Sequence, residues 1–309
     1  MKDFLGSLFA IIRDMQDTQL SRTDLNRLFH VYSSTNLAEI KRNEAAYANE
    51  VYNLTDTEGR KFVMRILKNQ DTAAINLEAM MQSRLNSAGI RAPQYLELGE
   101  DTYVGEVNGC RFTLSKHIEG SIPSKVKQGL VSDFGAVLAR IHDSLEGLVI
   151  PPNKMQWFDP KIARRDLDSY DGPLKPKLIE LVFKGDELLG LGLPEAVIHG
   201  DLWLSNTFAK DEKVTAVFDF ETAQNTARII DLARTYTSMR RETDIPADKV
   251  IDLLVEGYDS AASKPLAPAE KDSFRLAIVY VSGVVAAWHA ANGTGRAGPY
   301  LEMGEESAG

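Results

Sequence analysis

Four polar side chains lie close together in the stretch 197–221, VIHGDLWLSNTFAKDEKVTAVFDFE: His199, Asp201, Asn206 and Asp219. Asp201 and Asn206 stand five positions apart, and Asp219 ends an apolar run. Two carboxylates and an amide suit phosphoryl transfer if they meet in space. One carboxylate accepts or orients the proton of an attacking hydroxyl; the amide oxygen and the second carboxylate hold Mg²⁺ against a nucleotide's phosphates. The pattern around them supplies the fold-back that such a meeting needs. Residues 196–198 are apolar and suit a buried strand end. Thr207 and Phe208 start a second short strand, Asp211-Glu212-Lys213 make a polar turn, and residues 214–218 form a third apolar run. A hairpin over these residues returns Asp219 to the neighbourhood of Asp201 and Asn206. Without it, the same residues are a helix cap and a solvated polar turn.

The order H-x-D-x-x-x-x-N, then an apolar strand, then D-F, carries a resemblance. HGDLWLSN followed by VFDFE resembles the small-molecule kinases of the aminoglycoside phosphotransferase, choline kinase and type II homoserine kinase superfamily, relatives of the protein kinases. The resemblance covers most of the chain, with sharp motifs in this block alone. Gly200 stands where protein kinases carry Arg, and Glu221 where they carry Gly; both differences favour small-molecule kinases. The resemblance implies an α+β, protein-kinase-like two-lobed fold. Residues 1–117 would form a small antiparallel-sheet lobe with an N-terminal helical segment, and residues 118–309 a mainly helical lobe with the catalytic loop and acceptor site. It implies ATP and Mg²⁺ as cofactors, Asp201 as the catalytic residue, and Asn206 and Asp219 as metal ligands. His199 would buttress the loop. Asp231, in the run RIIDLAR, matches the family's D-L-A segment and would accept hydrogen bonds from the catalytic loop; an ordinary helix N-cap is compatible with that.

The elements that must position these groups are read as follows. Residues 45–54 and 61–67 are two strands joined by the turn Asp56-Thr57-Glu58-Gly59. In a kinase this hairpin covers the ATP phosphates. The usual glycines are missing here, with Ala45, Ala46 and Ala48 as small residues and Asn49 as a loop-shaping candidate; a plain edge hairpin fits as well. In the second strand Phe62, Met64 and Ile66 face one way, Val63 and Arg65 the other. Arg65 follows Val63 at the spacing of Ala and Lys in V-A-I-K and so stands at the phosphate-binding position, where its guanidinium can fork onto phosphate oxygens. Residues 72–87 read as a helix closed by Gly89, with Glu78 as the candidate partner of Arg65 and Glu44, Glu50 and Glu97 as rivals. Residues 93–98, 102–107 and 111–117 read as three more strands, the last two joined at Asn108-Gly109. The inter-lobe hinge then falls at Lys116, His117 and Ile118, whose backbone groups would bond adenine.

Beyond residue 125 the chain turns helical. Leu130, Phe134, Val137, Leu138 and Ile141 form a stripe that His142 continues as a core histidine with one backbone hydrogen bond. Trp157, Phe158 and the charged run 161–168 lie where acceptor contacts are expected, and Trp203 packs within the loop. Helices are expected at 246–259 and 268–291, and a loosely ordered Gly-rich tail after Asn292.

The 309 residues suit two lobes. A net charge of −9 argues against nucleic-acid or membrane-surface partners and is compatible with a cationic substrate. Cys110 is the single cysteine, so neither an intrachain disulfide nor a cysteine-rich zinc site can form. Phe4, Leu5, Leu8, Phe9, Ile12 and Met15 fall at helical spacing; the segment reads as an amphipathic helix, on the body or as the face of a homodimer, and not as a signal peptide. Residues 276–287 are too short an apolar run to span a bilayer and read as a buried core helix. A cytoplasmic enzyme with a small-molecule hydroxyl acceptor fits. Of the acceptors, a homoserine-like metabolite comes first and aminoglycosides, macrolides or choline second. The readings from other classes are a nucleotide-binding pseudokinase, suggested by Arg65 and the glycine-poor loop, and a metallohydrolase using His199, Asp201, Asp219 and Asp231.

Overall fold

Alternation of apolar and polar residues builds the first part of the chain. The computed structural model describes residues 20–43, 50–68, 70–152 and 155–308, which fall into two compact units. One runs to Asn76 and includes Gln94–His117; the other takes Leu77–Pro93 and the chain from Ile118 onward. Asn49, the alanines around it, Glu44 and the N-terminal amphipathic segment with its homodimer expectation lie outside the described residues.

In the first unit, α1 (Arg22–Phe29) is started by a capping box. The Ser21 hydroxyl accepts from the Asp24 N–H while the Asp24 carboxylate accepts from the Ser21 N–H. Its Leu25, Leu28 and Phe29 pack on a five-stranded antiparallel sheet, β1 (Leu37–Arg42), β2 (Glu50–Asp56), β3 (Lys61–Ile66), β4 (Gly105–Val107) and β5 (Cys110–Lys116), in the order β1-β2-β3-β5-β4. Phe62, Met64 and Ile66 are buried, as the two-residue period requires. Asn108 and Gly109, both at positive φ, make the two-residue turn between β4 and β5. Residues 37–42 form the edge strand β1, and one expectation changes. Residues 93–98 are not a regular strand: β4 already occupies the edge of β5 at Cys110, Arg111 and Phe112, leaving only the bridge Tyr95↔Ser115 and the bond from Leu96 N–H to Leu114 O.

Helix α2 (Thr72–Ser87) has the bounds its pattern predicts. In the second unit the chain continues through α3 (Gln128–Ser144), α4 (Pro160–Ser169), α5 (Lys175–Gly190), β6 (Glu195–Ile198), β7 (Thr207–Lys210), β8 (Lys213–Val217), β9 (Gln224–Ala227), α6 (Ile229–Met239), α7 (Ala247–Ala261), α8 (Pro268–Asp272), α9 (Phe274–Ala291) and α10 (Ala297–Ala308). The α3 stripe of Leu130, Phe134, Val137, Leu138 and Ile141 is buried. Strand β6 pairs with β9, and β7 with β8 around a turn whose Asp211 and Glu212 both have positive φ. The expected single helix over 268–291 is two, meeting at Ser273. Helix α9 is long and apolar enough to cross a membrane by length and composition, yet two-thirds of that stretch is buried inside the unit. The tail expected to be loose is helix α10: Tyr300, Leu301 and Met303 are buried in the core, and Gly304 lies against Leu181 and Ser282.

Helices α3 and α7 cross with almost no side chain between them. A Cβ on Gly257 would sit 1.9 Å from the Ser132 carbonyl oxygen, and one on Gly135 2.2 Å from that of Leu254. Backbone cannot yield as a flexible side chain does, so Gly257→Ala should destabilise by about 1–3 kcal/mol. Gly190→Ala, with open space around it, is the control and should be neutral or better. Urea midpoints check both; an unchanged midpoint for Gly257→Ala would refute so close a crossing.

Candidate active site

The centre of the second unit is a loop pinned from both ends. Strand β6 ends at Ile198. Gly200 follows at φ +79°, where a Cβ would lie 2.7 Å from the Thr222 carbonyl, so only glycine fits between His199 and Asp201. That contact gives Gly200 a steric reason for replacing the protein-kinase Arg. After Asp201 the chain makes one tight helical turn, Leu204–Asn206, and enters β7. The Asn206 Nδ2 donates to the Asp201 carbonyl at 3.0 Å and to Asp201 Oδ2 at 3.2 Å. Hairpin β7–β8 returns as expected, and Phe218 N–H donates to Asn206 O at 2.9 Å. The Phe218 carbonyl accepts from His199 Nε2 at 2.9 Å. Asp219 therefore follows a residue tied to both Asn206 and His199. Its own φ is +68°, a left-handed conformation that costs a non-glycine residue of order 1 kcal/mol or more and that clusters at functional sites.

His199 is fully buried. Its Nε2–H meets a carbonyl and its Nδ1 accepts the Asp201 N–H at 3.3 Å, a pattern only the neutral ring can make. Burial pushes its pKa down, outweighing the charges of Asp231 and Asp201. The ring is a strut for the loop.

Asp231, in the first turn of α6, has zero exposure. Its Oδ2 accepts from His199 N–H at 2.8 Å and its Oδ1 from Gly200 N–H at 2.9 Å. His142 Nε2 donates to Oδ2 at 3.0 Å, and His142 Nδ1 meets the Tyr258 hydroxyl at 2.9 Å. Tyr258 also takes Arg228 Nη1 at 3.3 Å, and Arg228 forks onto Glu270 with two bonds of 2.8 Å. Arg228 donates to Tyr258 and His142 donates to Asp231, and the bond between the Tyr258 hydroxyl and His142 Nδ1 joins the two ends. His142 is thus a core histidine as expected, with two side-chain bonds in place of the single backbone bond.

Asp201 is held by a residue to which the sequence alone assigned no role. Arg234 Nη2 donates to Asp201 Oδ1 at 2.6 Å, with the two side chains 6% and 16% exposed. The signal was present: Arg234 lies one turn after Asp231 on a helix whose every residue is buried, so its charge needed an internal partner. Thr235, whose hydroxyl donates to Leu202 O at 2.9 Å, is a second such anchor.

The remaining candidates belong to both units. In the first unit, Arg65 lies over the Tyr95 ring at 5.5 Å, while Glu50, one of the rival carboxylates, pairs with Lys68 at 3.5 Å. Glu78, in the part of α2 that belongs to the second unit, is buried and accepts from Gln82 Nε2 at 3.2 Å. Lys116 ends β5, the His117 N–H is spent on Lys61 O at 3.1 Å, and Ile118 opens the second unit.

Residues 39–265 match the model of a family described as phosphotransferase enzymes. The chain belongs to the phosphotransferase enzyme family. It is 25% identical over 264 residues to a homoserine kinase of Allorhizobium ampelinum, covering 82% of this chain and 80% of that one. Its fold is similar to that of the amicoumacin kinase hAmiN in complex with AMP-PNP, Ca²⁺ and Ami, with a TM-score of 0.75 at 14% identity over 95% and 96% of the two chains. It is likewise similar to a macrolide 2′-phosphotransferase of Brachybacterium faecium, with a TM-score of 0.59 at 17% identity over 91% and 95%. This phosphotransferase therefore has the protein-kinase-like α+β fold that the resemblance implied.

The donor set of this phosphotransferase fits a lightly held Mg²⁺. The Asn206 amide donates both of its hydrogen bonds to Asp201 from Nδ2, so its Oδ1 is the atom left for a cation. Among the described residues no cluster of three or more His, Cys, Asp or Glu side chains could hold a metal. A metallohydrolase centre needs such a cluster, whereas Mg²⁺ beside nucleotide phosphates is held by one or two side chains and water.

Proposed function

We propose that the protein transfers the γ-phosphoryl group of ATP to the hydroxyl of a small homoserine-like metabolite, with Asp201 as the group that receives the hydroxyl proton. The observation that carries this reading is the Asn206 bridge. The Asn206 side-chain amide ties the carbonyl and carboxylate of Asp201 together, and the Asn206 backbone carbonyl accepts from Phe218 N–H on the strand that leads to Asp219. The homoserine-like acceptor draws its support from relatives named homoserine kinase that match over four-fifths of their length.

In the transfer the acceptor oxygen forms its bond to the γ-phosphorus as the bond to the ADP oxygen breaks, and the hydroxyl proton passes to Asp201. Asn206 through Oδ1 and Asp219 through its carboxylate would hold Mg²⁺, which supplies positive charge to the phosphate oxygens. Arg65 would draw the α- and β-phosphates into place, with Glu78 fixing it. The rigid loop keeps Asp201 in position between turnovers, so little reorganisation is needed at the moment of reaction. A cytoplasmic location goes with the use of ATP.

The deciding experiment is ADP release from Mg·ATP across L-homoserine, other hydroxy amino acids, choline, ethanolamine, simple sugars, an aminoglycoside and a macrolide. Turnover with a hydroxy amino acid is expected. Clear Mg·ATP binding with no turnover of any acceptor would favour the pseudokinase; no nucleotide binding at all would sink the reading of 197–221. Asp219→Ala should lower Mg²⁺-dependent nucleotide affinity by about tenfold or more, since it removes the one carboxylate offered to the metal. Calorimetry with and without Mg²⁺ checks this, and unchanged affinity would move the metal site elsewhere.

A further inference from the structure

We propose that the acceptor is a short hydroxy acid, whose carboxylate is taken up by Arg234, Arg241 and Arg296 while its hydroxyl meets Asp201. This deepens the reading above and rests on Asp201 being the group that meets the hydroxyl.

The positive charge of three arginines, of which Arg241 and Arg296 are exposed, reaches one histidine. Arg234 lies in α6, Arg241 just beyond its end, and Arg296 just before α10. His289, near the end of α9, feels all three: burial, then the charges of Arg234, Arg296 and Arg241, push its pKa down to about 4. Its Nδ1 bonds Thr294 Oγ1 at 2.8 Å, and its ring stacks on Tyr300 at 5.2 Å and 19°. Arg241 lies over the same Tyr300 ring, 4.8 Å from its centroid, with Nη1 donating to the Tyr300 hydroxyl at 3.0 Å.

The cluster is short of negative charge in a protein that has an excess of it. The chain carries a net −9, yet among the described residues neither Arg241 nor Arg296 forms a salt bridge. Arg241 has a phenol for a partner instead. Arg234 is the link to the chemistry. It is 5% exposed, spends Nη2 on Asp201 and Nη1 on Thr237 Oγ1 at 3.3 Å, and its buried Nε–H makes no hydrogen bond. Arg234 has Asp201 as its counter-charge, but Arg241 and Arg296 have no ion-pair partner among the described residues, and their charge adds to burial in keeping His289 neutral, an effect that an arriving anion reverses. A guanidinium fork suits a carboxylate. Because Arg234 already touches Asp201, the carboxylate and the reacting hydroxyl must be only a few bonds apart, which selects a short hydroxy acid. A polyamine antibiotic or a quaternary ammonium alcohol would meet repulsion here. The net negative charge of the chain, compatible with a cationic substrate, is thus locally reversed where the acceptor binds.

The test has two arms. In the first, L-homoserine is compared with L-homoserinamide, and 4-hydroxybutyrate with 1,4-butanediol, as acceptors for Mg·ATP. The carboxylate member of each pair should have a kcat/KM about tenfold or more above its neutral twin, and Arg241→Gln and Arg296→Gln should each narrow that gap. In the second, the His289 ring, assigned among the five histidines with His289→Gln, is followed by proton NMR from about pH 8 to about pH 5. Alone it should stay neutral throughout; with 4-hydroxybutyrate it should begin to protonate within that range. Equal use of charged and neutral twins, or a His289 that 4-hydroxybutyrate does not move, overturns the subsite and leaves phosphoryl transfer standing. A His289 that responds, with no acceptor turned over, supports the subsite and counts against the kinase reading.

Discussion

Asp201→Asn should lower kcat by about 10²–10⁴-fold while nucleotide affinity changes little. Asparagine keeps the shape and can still meet Asn206, but it offers the acceptor hydroxyl no base. In the native loop one carboxylate oxygen is taken by Arg234 at 2.6 Å and the other by Asn206 at 3.2 Å, so the acceptor must compete for a carboxylate already oriented. The substitution also leaves Arg234 buried without its counter-charge, which costs stability by about 1–3 kcal/mol. Turnover must therefore be compared well below the variant's own melting temperature. The measurement is ADP release with the best acceptor, alongside calorimetric binding of Mg·ATP. Native turnover would remove Asp201 from the mechanism. Loss of nucleotide binding together with turnover would make the loop, and not the base, the cause.

Much of this site is legible in the sequence, and the reasons are local. Apolar alternation with Asp211-Glu212 as the turn predicts the β7–β8 hairpin, and the hairpin brings Asp219 back to Asn206. The role of Asp231 came from resemblance; its two oxygens accept from the His199 and Gly200 N–H groups. What supports Asp231 has no local signature. His142, Tyr258, Arg228 and Glu270 come from four elements far apart in sequence, and no periodicity encodes which buried polar group meets which. Helix α10 was hidden for a different reason: Gly298 and Gly304 within it lower its apparent helical preference and Gly293 and Gly295 precede it, while packing of Tyr300, Leu301 and Met303 on the core decides the outcome. Arg234 was hidden by composition of another kind. A charge in a helix reads as the solvent side, and here that helix has no solvent side.

Asp231→Ala should cost about 3–5 kcal/mol of stability and most of the activity with it, because it leaves buried donors unpaired on three sides. Two are the backbone N–H groups of His199 and Gly200, the start of the loop that carries Asp201; the third is His142 Nε2. Alanine also breaks the continuity from Glu270 through Arg228, Tyr258 and His142, so His142→Gln should be the milder change. The pH dependence distinguishes this account from a mere packing defect. Burial pushes the Asp231 carboxyl up, but the hydrogen bonds it accepts, from His142 and from the His199 backbone N–H, outweigh it and hold the pKa below the ordinary carboxylate value. A depressed folded pKa contributes stability that is present above the unfolded value, near 3.8, and is lost as pH falls through the folded one. The stability gap between wild type and Asp231→Ala should therefore be flat from neutral pH down to about 4 and narrow only below it. His199 acts over a higher window. Its folded pKa lies below 6.5, so the unfolded chain takes up that proton first and the wild type loses stability as pH drops beneath the ordinary histidine value. Urea unfolding across that range reads both trends. A gap that already closes near neutral pH would mean that Asp231 is not the ionised hub of the loop.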